Sequence, residues 1–103
     1  MTRASNTYDI PAVVYASFND TSFVTGDSPV THNIHTVLSR NANDGFIDNY
    51  GSGDMQYSIS EDGTNFGDNV YLPAGAQDDL RGYSMYHIKV TWVADTSYVI
   101  RTR

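Results

Sequence analysis

The chain is expected to be all-β: an antiparallel β-sandwich, jelly-roll or immunoglobulin-like, of about seven or eight short strands. Three observations predict this. Residues 53–66, GDMQYSISEDGTNF, alternate polar and apolar side chains around Asp62-Gly63, the pattern of a hairpin. Helix-favouring residues are scarce, with one Glu, one Lys, two Gln and three Leu, while strand and turn formers dominate. Turn signals also recur at a spacing of roughly 8–12 residues.

The elements follow in order. Residues 1–7 are polar and patternless, and read as a loose arm. Ile10, Ala12, Val14, Ala16 and Phe18 alternate with Pro11, Val13, Tyr15 and Ser17, a strand with Pro11 at its edge or start. Asn19-Asp20 reads as a turn, residues 21–25 as a short strand, and Gly26-Asp27-Ser28-Pro29 as a break. Residues 30–40 alternate again, with Val30, His32, Ile34, Thr36 and Leu38 on one face of a strand. Asn41 to Gly45 is a turn, and Phe46-Ile47 a short strand ending at Asp48-Asn49.

Gly51-Ser52-Gly53-Asp54 leads into the hairpin. There Met55, Tyr57 and Ile59 face one way, and Gln56, Ser58 and Ser60 the other. A two-residue turn at Asp62-Gly63 would set Glu61 opposite Thr64, Ile59 opposite Phe66 and Met55 opposite Val70. The second arm carries an irregularity at Gly67-Asp68. Pro73-Ala74-Gly75 breaks it, and residues 76–82 read as a loop or one helical turn. Residues 84–93 form the strongest strand, with Tyr86, Ile88, Val90 and Trp92 on one face. A three-residue turn at Ala94-Asp95-Thr96 would place Trp92 opposite Tyr98 and Val90 opposite Ile100. The last strand is SYVIRT.

With 103 residues, the chain is long enough for one domain, residues 1–103 including the arm, and one modest core. The formal net charge is −6, and Glu61 is the only one of twelve acidic residues that is not Asp. The six basic residues are scattered, which argues against nucleic-acid binding. The absence of cysteine excludes disulfides and thiolate chemistry. No apolar leader or membrane-length run is present, so the expectation is synthesis in the cytoplasm with no membrane contact.

No constellation announces chemistry. His32 and His35 would point to opposite faces of a strand, so ordinary surface histidines are the better reading than a metal pair. Asp44, Asp48, Asp54, Asp62 and Asp68 sit in loops but match no calcium loop. Asp78-Asp79, adjacent and divergent, reads as a solvated loop or a helix cap. No nucleophile elbow, P-loop or dinucleotide fingerprint occurs. Tyr86, Trp92 and Tyr98 are expected to fill the core, with Tyr83 at its rim. No catalytic, cofactor-binding or metal-ligating residue is assigned.

Residues 43–101 run N-D-G-F-I-D-N-Y-G, M-Q-Y-S-I-S-E-D-G-T-N-F, V-Y-L-P-A-G, H-I-K-V and S-Y-V-I-R. This order resembles small β-sandwich accessory proteins of tailed bacteriophages, head decoration (cement) proteins and fibre-associated modules among them. The resemblance implies a non-enzymatic structural protein of the virion, binding the major capsid protein or another virion protein, with a homo-oligomer as a possible form. The arm would gain order only on a partner, so Tyr8, Ile10 and Pro11 are the candidate contact residues. The alternative reading is a carbohydrate-binding or adhesion module of a tail fibre or baseplate. It requires two or more aromatics exposed on one flat face for stacking, and the accessibility of Tyr50, Tyr71 and Tyr83 discriminates.

Overall fold

A computed structural model describes residues 14–103. The strands are β1 Ala16–Phe23, β2 Val30–Asn33, β3 Gly45–Asn49, β4 Met55–Ser60, β5 Val70–Leu72, β6 Gln77–Asp79, β7 His87–Trp92 and β8 Thr96–Thr102. A 3-10 turn at Thr25–Asp27 precedes β2, and a short helix α1, Ile34–Leu38, follows it.

One sheet runs β1-β8-β3-β6 and the other β2-β7-β4-β5. All neighbours are antiparallel. The first strand pairs with the last, the second with the seventh, the third with the sixth and the fourth with the fifth. The described residues thus form one long antiparallel ribbon wrapped into two layers, which is the wiring of a jelly roll,. An immunoglobulin domain would instead put its first, second, fourth and fifth strands in one sheet. The expected β-sandwich is observed, in its jelly-roll form.

Alternation builds the core. Ala16, Phe23, Ile47, Tyr98 and Ile100 face inward from one sheet, and Met55, Tyr57, Leu72, Ile88 and Val90 from the other. Two side-chain pairs join the layers. His32 Nε2 lies 2.7 Å from the Tyr98 hydroxyl, and its ring stacks on Phe18 at 4.5 Å. The Tyr57 hydroxyl donates to Asp78 Oδ2 at 2.7 Å. Burial holds His32 below the ordinary histidine range, an effect partly offset by the Asp20 carboxylate.

Asn49, fully buried, ties the connections at one end of the sandwich. Its Nδ2 donates to the carbonyls of Gly53 (2.8 Å) and Leu72 (3.0 Å), and its Oδ1 accepts from Thr96 Oγ1 at 2.6 Å.

Several local expectations are corrected. Asn19-Asp20 is not a turn: β1 continues to Phe23, with a bulge after Asp20. The Asp20 carboxylate accepts the Ser22 N–H at 3.0 Å, which satisfies a donor that the bulge frees,. The strand expected over residues 30–40 stops at Asn33, whose side chain accepts the Thr36 N–H at 2.9 Å and caps α1,. Ser39, at φ 60°, ends that helix. Residues 77–79 form β6 rather than a loop or helical turn.

The hairpin register also differs. Met55 faces Leu72 and Tyr57 faces Val70, while Phe66 bridges Ser60. Asp62 explains the longer loop. Its carboxylate accepts the N–H groups of Thr64 and Asn65, each at 2.8 Å, and the Ser60 hydroxyl accepts that of Gly63 at 2.9 Å. These side-chain acceptors replace the ladder that a two-residue turn would have closed. Gly63, at φ 83°, supplies the left-handed residue expected there. Phe66 consequently leaves the inner face and meets His87 and Lys89 on the outer one, with the Lys89 ammonium 4.5 Å from its ring centre.

The pairing of Trp92 with Tyr98 is overturned. Trp92 lies opposite Met55, and Tyr98 opposite Asp20 and Asn49. Residues 93–95 therefore cross from one sheet to the other. The Asp95 carboxylate fixes the crossing by accepting the Trp92 indole N–H at 2.9 Å. Gly53 and Gly51 make room for it, because a Cβ on either would strike the backbone of residues 95–97. Tyr98 is core and Trp92 packs against the core, but Tyr86 stacks on His35 at 4.3 Å rather than joining them.

Candidate binding groove

β5 is short. It runs beside only Met55, Gln56 and Tyr57 of β4, and beyond them the chain bulges away through residues 67–69. On the facing layer, the segment after β6 turns back: the Gly82 N–H donates to the Asn43 carbonyl at 3.0 Å and the Tyr83 N–H to that of Leu80 at 3.3 Å. Between the two lies a groove of about 560 Å³, within the usual size of a ligand site. Tyr57, Ile59 and Val70 line it, with Glu61 and Asp68 on the β4–β5 loop and Tyr83 and Ser84 on the returning segment.

The Tyr57 phenol is committed to Asp78. Burial, then the hydrogen bond and charge of Asp78, then nearby Tyr83 push its ionisation far above the ordinary tyrosine range. The oxygen therefore stays protonated and has only lone pairs left to offer. The Gly67 N–H is likewise committed, to the Ile59 carbonyl at 2.9 Å. The Ser84 hydroxyl accepts from Asn41 Nδ2 at 2.9 Å.

A second cleft, of about 290 Å³, involves Tyr15, Phe46, Arg101 and Arg103. The two guanidinium groups lie 5.5 and 5.9 Å from the Tyr15 ring centre, and Arg103 pairs with Asp44 at 3.4 Å.

The candidate contact residues Tyr8, Ile10 and Pro11, with the arm 1–7, lie outside the described residues. The histidines separate as expected, although through a strand and a helix rather than one strand. His32 points into the core, stacked on Phe18 and bonded to Tyr98, and so is not the surface histidine expected, while His35 on α1 bonds Asn41 Oδ1 at 3.0 Å. Asp78 and Asp79 diverge, the first to Tyr57 and the second to Arg81 at 2.7 Å; Asp78 is therefore a bridge between layers and not a solvated loop residue. Among the described residues, no three His, Asp or Glu side chains gather as a metal site. Asp54 instead accepts from the Tyr71 hydroxyl and the Ala74 N–H, which together lower its pKa.

Tyr50, Tyr71 and Tyr83 are 48, 53 and 54% exposed. Each stands on a different element. Tyr50 bonds Asn19 and Tyr71 bonds Asp54, while Tyr83 rims the groove. The groove itself was not read from the sequence. Its signal was the Gly67-Asp68 interruption, which marks where β5 fails to cover β4.

Comparison of the chain with protein-family models, curated proteins and solved structures finds no match in any of the three.

Proposed function

We propose that this protein is a non-enzymatic structural component of a tailed-phage virion, a decoration protein that binds the outer shell through its major capsid protein. The observation that carries the reading is the jelly-roll wiring, an architecture on which viral shell proteins are built. The argument from fold to role is one of analogy. The sequence resemblance over residues 43–101 points the same way. Tyr8, Ile10 and Pro11, which precede β1 in the sequence, are the proposed contacts, and β1 is at the edge of its sheet among the described residues. An edge strand leaves one row of backbone donors and acceptors open to a partner.

The test is cosedimentation of the purified chain with capsids of the phage that encodes it, followed by thermal challenge of the particles. The reading expects saturable binding and a higher disruption temperature, both weakened on deletion of residues 1–7 and lost when Tyr8 and Ile10 are also replaced by Ala. Unchanged occupancy after the deletion removes the arm from the proposal. No binding by the full chain removes the proposal itself.

The exposure of Tyr50, Tyr71 and Tyr83 meets one of the two conditions of the second reading, a carbohydrate-binding or adhesion module, the other being a shared flat face,. Selective glycan-array binding that is lost in Tyr71→Ala or Tyr83→Ala, together with failure to bind capsids, would favour it over the first.

A further inference from the structure

We propose that the groove between β4 and the residue 82–84 segment is a receptor for an arginine side chain presented by a protein partner. The inference rests on the groove alone and not on the virion reading.

The donor and acceptor inventory argues for it. Glu61 and Asp68 bring carboxylates, which only accept,. The Tyr57 hydroxyl donates its one hydrogen bond to Asp78 and can only accept from a ligand. The backbone N–H groups of Gly67, Gly82 and Tyr83 are used internally. No Lys, Arg, Asn or Gln side chain lines the groove. What remains to donate is the Tyr83 and Ser84 hydroxyls and the backbone N–H groups of Glu61, Asp68 and Ser84.

A sugar brings no positive charge, so its binding would cover the Glu61 and Asp68 carboxylates without pairing them. A guanidinium carries five N–H donors and no acceptor, and the groove offers the complement. Its planar face also suits the half-exposed Tyr83 ring, with the apolar floor of Ile59 and Val70 beneath the methylene stem. Charge agrees: the chain carries −6 overall, and Arg81, the cation adjoining the groove in sequence, is already paired with Asp79.

The test uses the full chain, labelled with ¹⁵N, in buffer of physiological ionic strength that screens nonspecific attraction. N-acetyl-arginine amide is titrated beside N-acetyl-citrulline amide, its neutral isostere, and maltose. The expected result is saturable amide shifts centred on Ile59, Glu61, Asp68 and Tyr83 with arginine, and at least tenfold weaker binding of citrulline and maltose. Glu61→Gln with Asp68→Asn should weaken arginine binding about tenfold without lowering the melting temperature, because both side chains are exposed. Tyr83→Ala should weaken it severalfold. Equal binding of citrulline, stronger binding of maltose, shifts spread over Asp44, Asp48 and Asp95, or no shift at 50 mM arginine ligand (a generous limit for a site on the order of millimolar affinity) would each overturn the proposal.

Discussion

Replacing Asn49 with Ala should be among the most damaging single changes in this protein. The side chain is fully buried and makes three hydrogen bonds, two donated to the carbonyls of Gly53 and Leu72 and one accepted from Thr96. Truncation leaves all three partners behind. A typical bond contributes about 1 kcal/mol net, and a stranded buried partner costs about 1–3 kcal/mol. Counting the Leu72 carbonyl and the Thr96 hydroxyl as buried and the Gly53 carbonyl as half-exposed, the loss is about 3 kcal/mol. For a domain of this size that is a fall in Tm of roughly 12–24 °C. Urea unfolding followed by Trp92 fluorescence gives the free energy, and calorimetry gives the Tm. Thr96→Val supplies the cycle: because it removes the hydroxyl that Asn49→Ala strands, the double variant should lose less than the two singles together. As a control, Asn69→Ala, whose long 3.5 Å contact with Gln56 is exposed, should change stability by no more than about 0.5 kcal/mol. An Asn49→Ala loss below about 1 kcal/mol, or strict additivity with Thr96→Val, would refute the reasoning.

Other outcomes follow from the same contacts. His32 is held below its ordinary value of 6.5 by burial; the unfolded chain therefore takes up a proton that the native state resists, and stability falls as pH drops through about 6.5. Thermal melts from pH 7.5 to 5.5 should show a steeper decline for the wild type than for His32→Gln. Gly53→Ala should destabilise by about 1–3 kcal/mol, since the new methyl meets the Asp95 carbonyl oxygen and lies 3.0 Å from the Ala94 Cβ,; Gly26→Ala, with nothing within 4 Å, should be near neutral. The Asp62 carboxyl is held well below the ordinary carboxylate value of 3.8 by the N–H groups of Asn65 and Thr64. Its contribution is complete above about that pH and fades as the solution becomes more acidic. Asp62→Ala should therefore melt lower than the wild type at pH 7, and the gap should narrow between pH 4 and pH 2.

The layer architecture was legible because period-two alternation survives along β3, β4, β7 and β8, and that pattern depends only on which side chains face the core. What the pattern does not contain is which strand lies beside which. Trp92 and Tyr98 both face inward, so a hairpin and a crossing between sheets satisfy the same alternation. The crossing is decided by Gly51, Gly53 and Asp95, whose close packing involves residues about 40 positions apart. Helix α1 was missed although Asn33, Ile34 and Leu38 give a cap and an apolar pair one turn apart; the strand-like alternation of residues 30–34 masked them. The hairpin slipped because Asp62 and Ser60 supply acceptors that a turn rule based on Asp-Gly alone ignores. The groove was hidden for the related reason that it arises where β5 ends early, and a strand's length is set by its partner as much as by its own residues.

The path of the chain between the sheets determines the groove. Cross-strand nuclear Overhauser contacts between α-protons and between amides in solution test it directly. The jelly-roll account predicts β8 flanked by β1 and β3, with contacts linking the Phe18–Ile100 and Ile47–Ile100 pairs and β7 joined to β4 through the Met55–Trp92 pair. Backbone contacts joining Trp92 to Tyr98 and Val90 to Ile100 would mean a simple terminal hairpin, and would contradict it.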